Sequence, residues 1–209
     1  MEPDVHRLLT DAQAWHLLGR LLERPREGWH ARVWALAEGL EKRHGEIHEA
    51  AALASMATEG RYLASFGPSG VVSPREVAHC GVRDPGQLLA DLETRYAAFA
   101  YVPASEDPID HVAVEADFVS YLRLKEAFAR SAGDVERAAI AAEAADAFIA
   151  DHLREMGAPI ADRLEEAAEP YLARAARALA RRVGSPTTSQ ASKIVWLEDE
   201  SSACGNDVM

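Results

Sequence analysis

Apolar positions recur at three- and four-residue spacings along almost the whole chain, a pattern typical of amphipathic helices. Glycine and proline residues separate the periodic stretches and mark where helices end. Helices are predicted near residues 4–23, 29–40, 46–66, 87–101, 107–131, 135–155 and 160–183. No useful strand alternation occurs, so the pattern predicts an all-α, single-domain bundle of about seven or more helices.

Three features interrupt this pattern inside the chain. Residues 67–86 contain three prolines and four glycines, and we predict only a short helical turn there, from Pro74. After a second loop, Asp107 is predicted to be the N-cap and Pro108 the first residue of the next helix. The sequence Gly-Ala-Pro at 157–159 is predicted to break the sixth helix.

The periodic pattern stops near Gly184. We therefore divide the chain into a helical domain, 1–185, and a polar C-terminal tail, 186–209, which we expect to be flexible. The tail contains one apolar patch, Ile194–Leu197. Disorder or loose docking is favoured for this patch over a regulatory contact with the helical domain.

Composition narrows the class of protein. The 209 residues suffice for one domain with a full core, and the net charge of −12 argues against nucleic acid or anionic membrane as the main partner. No apolar run approaches the roughly 20 residues that cross a bilayer. The acidic N-terminus lacks the basic start and apolar stretch of an export signal, which indicates a cytoplasmic protein.

The chain carries none of the common catalytic motifs: no Gly-rich phosphate loop, HExxH, CxxC or nucleophile elbow. His44 and His48 are four residues apart and could bind a metal together with Glu41 or Glu49. Gly45 lies between them at a predicted helix break, so two solvated histidines are favoured. We expect no cofactor and no metal.

The segment from Pro108 to Glu115 is the most distinctive in the chain. His111 lies one turn from Asp107 and one turn from Glu115, and these carboxylates would offset the unfavourable effect of the helix dipole on a cationic histidine. Three interpretations stay open: a structural network that fixes the loop to the helix, a peptide-binding hot spot, or an acid–base or metal site. For the acid–base or metal site, the segment offers neither a nucleophile nor a third metal ligand.

Negative charge is concentrated around this segment. Residues 84–117 contain eight acidic side chains and one basic side chain, Arg95, together with Tyr96, Phe99 and Tyr101. Such a window is either an ordinary solvated face or a surface for a ligand that is both apolar and basic.

Five segments resemble parts of the TorD/DmsD/NarJ family of redox-enzyme maturation chaperones. Asp107–Leu122 resembles the family signature, with Pro108, Asp110, His111, Glu115, Phe118 and Leu122 at the expected spacings. Three more resemblances occur in the expected order: Trp15–Pro25 to the first helix, Pro74–Glu76 with Leu92–Phe99 to the segment before the loop, and Phe148–Leu153 to the F-L-x-x-H-L element. The likeness runs from about residue 10 to 180 and is closest to the branch that serves dimethylsulfide, ethylbenzene, selenate or chlorate type molybdoenzymes.

This resemblance implies a TorD-like fold and a non-enzymatic chaperone. Such proteins bind the immature catalytic, molybdopterin-binding subunit of an oxidoreductase, often through its twin-arginine signal peptide. They hold it until the bis-guanine-dinucleotide form of the molybdenum cofactor is inserted, and they block premature export or assembly. We expect that apo subunit as the partner of this chain, which would act as a monomer or a dimer.

The resemblance also implies a client-binding surface at the loop before the signature helix. Glu115 is expected to orient His111. The candidate set is Asp107, Pro108, Asp110, His111, Glu115, Tyr96, Phe99 and Tyr101. Two positions depart from the family pattern and affect the shape of the groove, because Ala116 replaces a usual Leu and Met156 a common Trp.

Two other functions compete with the chaperone. One is a helical metal-dependent enzyme that uses His111 and Glu115, with the His44/His48 pair as further ligands. The other is a structural subunit that stays in the mature complex. Bound metal in the purified protein would favour the first, and copurification with active oxidoreductase would favour the second.

Overall fold

The computed structural model describes residues 3–40, 44–81, 83–165 and 169–185, and the regular elements in these ranges are helical. The all-α prediction is confirmed, and no strand occurs in the described ranges. The predicted tail, 186–209, lies outside them. The helices are α1 Pro3–Leu22, α2 Trp29–Gly39, α3 Gly45–Leu53, α4 Glu59–Phe66, α5 Pro85–Ala98, α6 Val112–Ser131, α7 Val135–Phe148, α8 Arg154–Glu165 and α9 Pro170–Val183.

Helix α1 lies at the centre of the bundle, between α6 on one side and α9 on the other. The two 20-residue helices α1 and α6 lie close together at Gly19, where an added Cβ would be 3.0 Å from the carbonyl oxygen of Ala113. Trp15 is buried, and the guanidinium of Arg182 from α9 lies 4.8 Å from its ring centre. Helices α3 and α8 pack against the outer side of α9.

The helix predicted over 46–66 is divided in the structure. A 3-10 turn, Ala54–Met56, follows α3, and Ala57 is extended. Thr58 then caps α4, because its hydroxyl accepts a hydrogen bond from the Arg61 amide at 3.3 Å. The 67–86 segment contains the 3-10 turn Glu76–Ala78 in place of a turn that starts at Pro74.

The predicted break at 157–159 was wrong. Helix α8 continues through Pro159, although an interior proline removes a hydrogen bond and costs about 3 kcal/mol. Burial outweighs this local cost, because Ile160 and Leu164 are fully buried. Gly157 also lies so close to α9 that an added Cβ would be 2.7 Å from Val183 Cγ2.

A π-helical turn, Ile149–Leu153, joins α7 to α8 without a loop. A π turn accommodates one extra residue and so changes the direction in which neighbouring side chains point. His152 and Leu153 in this turn are both completely buried.

No helix among the described residues combines the length and the apolar character that crossing a bilayer requires.

Candidate functional site

The N-cap of helix α6 is His111, four residues after the predicted N-cap, Asp107. The extended backbone of His111 lets its Nδ1 accept a hydrogen bond from the Ala113 amide at 3.1 Å. The preceding residues form a turn in which the His111 amide donates to the carbonyl of Pro108 at 2.9 Å. The predicted cap at Asp107 was therefore wrong, and the signature histidine itself satisfies the first turn of the helix.

The other nitrogen of His111 connects three helices. Because Nδ1 accepts a hydrogen bond, the proton of the neutral ring is on Nε2, which donates to the Tyr62 hydroxyl at 3.1 Å. Tyr62 in turn donates to the carbonyl of Leu22 at 3.4 Å. Burial lowers the pKa of His111, and the nearby carboxylates of Asp107 and Asp110 oppose this effect only in part. A neutral His111 thus links α6 to α4 and to the end of α1.

Asp110 is fully buried and binds the segment before α5. Its Oδ1 accepts hydrogen bonds from Arg75 Nε and lies 2.9 Å from Nη2 of the same guanidinium. Its Oδ2 accepts from the Val77 amide at 3.4 Å, and its main-chain carbonyl accepts from the Glu76 amide at 2.8 Å. These contacts, with the isolated bridge between Arg75 and His111, attach residues 74–77 to the start of α6.

Glu115 lies in the first turn of α6 and is completely buried. Among the described residues, no donor reaches either oxygen of its carboxylate, so it does not orient His111 as expected. Burial raises the pKa of Glu115 well above its usual value, and the negative charges of Glu76 and Asp110 raise it further. As a neutral acid, Glu115 can donate its proton in a hydrogen bond to Glu76.

Glu76 connects this acid to the π turn. Its carboxylate oxygens lie 2.9 and 3.2 Å from Nδ1 of His152, both side chains being almost fully buried. The Phe148 ring stacks on His152 at 4.6 Å. Nε2 of His152 is 3.1 Å from Asp91 Oδ2, a distance that fits an ion pair, but the angle does not fit a hydrogen bond.

Sequence reasoning did not include Arg75, Glu76 and His152 in the candidate set. The available signal was the family resemblance of Pro74–Glu76 and Phe148–Leu153. Arg75 lies 35 residues before Asp110 in the sequence, and His152 lies 42 residues after it. The structure brings both segments to the start of α6. We call Arg75, Glu76, Asp110, His111, Glu115 and His152 the junction network.

The three candidate aromatics lie beside the junction network. Tyr96 is buried, with its ring 4.7 Å from that of Phe118, and its hydroxyl donates to the carbonyl of Ile109 at 2.9 Å. Phe99 and Tyr101 are half-buried, and the Tyr101 hydroxyl donates to the carbonyl of Val114 at 3.4 Å. Tyr96 therefore holds the turn before α6 through the Ile109 carbonyl, while parts of Phe99 and Tyr101 remain accessible.

Much of the acidic window is paired with basic side chains from other parts of the chain. Asp117 binds Arg20 at 2.8 Å and His16 at 2.5 Å, and Glu106 pairs with Arg26. Asp107 is half-buried and accepts a hydrogen bond from Ser105 at 2.8 Å. Pro108 beside it is exposed. The candidate set thus separates into buried members of the junction network and a smaller accessible group, Asp107, Pro108, Phe99 and Tyr101.

An apolar groove includes Tyr101 of the accessible group in its lining. It lies between α1, α2 and α6 and has a volume of about 390 Å³, within the range of ligand pockets. Leu9, Leu36 and Leu124 line it together with Tyr101 and Tyr121, and Asp117 and His16 add polar groups. We call it the α1–α6 groove.

The histidines proposed as alternative metal ligands have other partners. His48 Nε2 lies 3.0 Å from the carbonyl of Leu40, and His44 is the N-cap residue of α3. In the portion of the chain that the structure describes, no three His, Cys, Asp or Glu side chains form a group that could hold a metal ion.

The sequence model of the nitrate reductase delta subunit family matches residues 29–162, nearly two thirds of the chain. The chain belongs to this family. All six residues of the junction network lie in the matched range. No curated protein matches the chain.

The nitrate reductase delta subunit family is a family of chaperones that mature molybdoenzymes, which confirms the NarJ/TorD-type family predicted from the sequence. The members are chaperones and not catalysts, and they act with nitrate reductase-type catalytic subunits. The branch that serves dimethylsulfide-type enzymes stays a prediction.

Proposed function

We propose that this member of the nitrate reductase delta subunit family is a cytoplasmic, non-enzymatic chaperone for the immature catalytic subunit of a molybdenum oxidoreductase. It binds the twin-arginine signal peptide of that subunit, or another exposed segment, and supports cofactor insertion before export. The observation that carries the proposal is the family match over 29–162, the range that contains the whole junction network.

The α1–α6 groove and the accessible group form the client-binding surface in this proposal. An amphipathic client segment places its apolar face in the groove, as helices do in other hydrophobic grooves. Asp107 and Arg20 line the same small polar pocket, and Asp117, which pairs with Arg20, lines the groove. Carboxylates on this side can receive client arginines, whose planar guanidinium groups bind carboxylates in a bidentate manner.

The buried candidates act as positioning residues in this scheme. Asp110 and His111 hold the loop that carries Asp107 and Pro108 against the start of α6 through Arg75 and Tyr62, and Glu115 is buried in the first turn of that helix. Their side chains are at most 3% exposed, so they support the surface without contacting a client directly. Tyr96 has the same supporting role, because its hydroxyl binds the carbonyl of Ile109.

The first test is an affinity pull-down of the tagged chain from its native host, followed by mass spectrometry. Recovery of an apo molybdoenzyme catalytic subunit is expected and would identify the client. Copurification with the mature, active oxidoreductase would instead favour a structural subunit. Stoichiometric zinc or iron in the purified chain, with no such subunit recovered, would favour the metal-dependent enzyme.

The second test measures binding of a synthetic signal peptide from the recovered subunit by calorimetry. The surface variant Asp107→Asn with Pro108→Ala should weaken binding about tenfold, equivalent to about 1.4 kcal/mol, without a change in melting temperature. The buried variant Asp110→Ala with His111→Ala should lower both affinity and stability. A matched surface control is Glu136→Gln on α7.

Binding should also weaken as salt is raised, because ions screen the contacts between exposed charges. Unchanged peptide affinity in both double variants, with the fold intact, would show that the site assignment is wrong. A fall in affinity in the Glu136→Gln control would show that the effect comes from overall charge and not from this surface.

A further inference from the structure

A second apolar surface lies on the other side of α6, where it packs against α7. This furrow has a volume of about 490 Å³ and shares no lining residue with the α1–α6 groove. Its apolar lining includes Phe128, which is 66% exposed, and Ile140, which is 53% exposed. Large exposed apolar side chains that adjoin a concave surface mark a binding site. We call it the α6–α7 furrow.

Positive charge borders the α6–α7 furrow. Lys125 Nζ lies 5.0 Å from the ring centre of Tyr121 and has no carboxylate partner among the described residues. The side chain of Arg137 is 83% exposed, and its ion pair with Asp134 is long at 3.5 Å. Two weakly neutralised cations beside an apolar surface favour an occupant that has both apolar side chains and carboxylates.

The chain contains a segment with this composition. Ile-Val-Trp-Leu at 194–197 is followed directly by Glu-Asp-Glu at 198–200. This apolar patch was noted in the sequence, and the proposed function does not use it. Its order, four apolar residues and then three acidic ones, matches the apolar floor and the cationic border of the furrow.

The end of α9 lies close enough for this segment to reach the α6–α7 furrow. Arg182, next to the last residue of α9, pairs with Asp11 of α1, and Asp11 lies 3.6 Å from Arg123 of α6. Arg123 is two residues before Lys125. Nine residues separate Gly184 from Ile194, and the ten residue-to-residue steps between them span about 33 Å when extended.

We propose that residues 194–197 of this chain bind in the α6–α7 furrow, with the carboxylates of 198–200 next to Lys125 and Arg137. The short connection raises the effective concentration of the segment into the millimolar range, so that even weak contacts keep it bound. The segment then covers Phe128, Ile140 and the furrow side of Phe99, which is a member of the accessible group, and leaves the α1–α6 groove open. This proposal does not depend on the identity of the client.

Zero-length carbodiimide cross-linking tests the proposal on the full chain. Carbodiimide joins a lysine to a carboxylate that contacts it, and the chain has only three lysines, Lys42, Lys125 and Lys193. A cross-link from Lys125 to residues 198–200 is therefore unambiguous in a mass spectrum. We expect this cross-link in the unmodified protein. Mixing of ¹⁴N- and ¹⁵N-labelled protein should give only light–light and heavy–heavy products, because both ends belong to one chain.

Ile140→Ser and Trp196→Ser should each reduce the Lys125 cross-link at least tenfold, since they remove apolar contacts from opposite sides of the interface. Met56→Ser is the matched control, because Met56 is 71% exposed and does not line the furrow. Circular dichroism checks that each variant is folded. Absence of the cross-link in the unmodified protein, or its retention in the Ile140→Ser variant, would overturn the proposal. Mixed heavy–light products would also overturn it and would assign the furrow to a second copy of the chain.

Discussion

Replacement of His111 tests whether the signature histidine stabilises the start of α6. In the structure, Nδ1 caps the Ala113 amide at 3.1 Å and Nε2 binds Tyr62 at 3.1 Å, and the side chain is 3% exposed. Loss of an N-cap costs about 1 kcal/mol, loss of the buried hydrogen bond about 1 kcal/mol, and the cavity left by the ring about 1–2 kcal/mol. His111→Ala should therefore lower the free energy of unfolding by about 3–4 kcal/mol.

His111→Asn provides the matched comparison, because asparagine is a good N-cap and its side-chain oxygen can take the place of Nδ1. The Asn variant should be about 1 kcal/mol more stable than the Ala variant, as measured by urea unfolding at equal m-values. Tyr62→Phe removes the other hydrogen bond and leaves the cap in place. If the Ala and Asn variants unfold at the same urea concentration, His111 does not act as an N-cap.

The acid side of the stability profile gives a second measurement on the same residue. The pKa of His111 is lowered in the folded state, so below about pH 6.5 the unfolded chain takes up this proton first. Stability should then fall as pH falls from 6.5 through the lowered pKa, with a slope of up to about 1.4 kcal/mol per pH unit. The Asn variant should lack this component. If the unfolding free energies of the unmodified protein and the His111→Asn variant changed with pH in parallel, His111 would not be neutral in the folded state.

Two further changes test the interior of the bundle. The pKa of Glu115 is raised in the folded state, so the unfolding free energy of the unmodified protein should fall as pH rises from about 4.3 through that raised pKa. The Glu115→Gln variant should lack this loss of stability. Identical urea profiles of both proteins between pH 5 and 9 would count against a buried neutral acid. Gly19→Ala should destabilise by about 1–3 kcal/mol, because its Cβ would meet the carbonyl of Ala113 at 3.0 Å. Gly60→Ala is the control, because a Cβ added at Gly60 would have no atom within 4 Å, and this variant should be neutral or slightly stabilising in thermal unfolding. Equal effects at both glycines would refute the close packing of α1 on α6.

The three- and four-residue spacing of apolar positions predicted most of the helices, because each helix buries one face in a common core. It failed where a local signal competed with tertiary contacts. Asp107-Pro108 is a good N-cap pair by local preference, yet α6 starts at Val112, whose amide donates to the carbonyl of Pro74 at 2.8 Å. A bond between segments 38 residues apart in the sequence leaves no trace in local preference. Pro159 shows the opposite case, in which burial of Ile160 overrides a strong helix-breaking signal.

Only part of the candidate site was predicted, again because some of its contacts join segments that are distant in the sequence. The segment from Asp107 to Glu115 was recognisable because its members lie within two helical turns of each other. The partners of Asp110 and Glu115 come from the loop at Arg75 and Glu76, which shows no periodicity. His152 reaches Glu76 from a π turn, and no hydrophobic pattern distinguishes such a turn from an ordinary helix.

The π turn at Ile149–Leu153 also sets the rotational phase of everything after it. One additional residue in a helix turns all later side chains by about 100° around the axis. Removal of one residue here would convert the turn to an ordinary helix and would rotate the buried stripe of α8, which includes Met156 and Leu164, away from α9. A relative built without the turn would align with this chain only across a one-residue gap at this point. That gap would lie at the additional residue of the π turn, which lets His152 face Glu76.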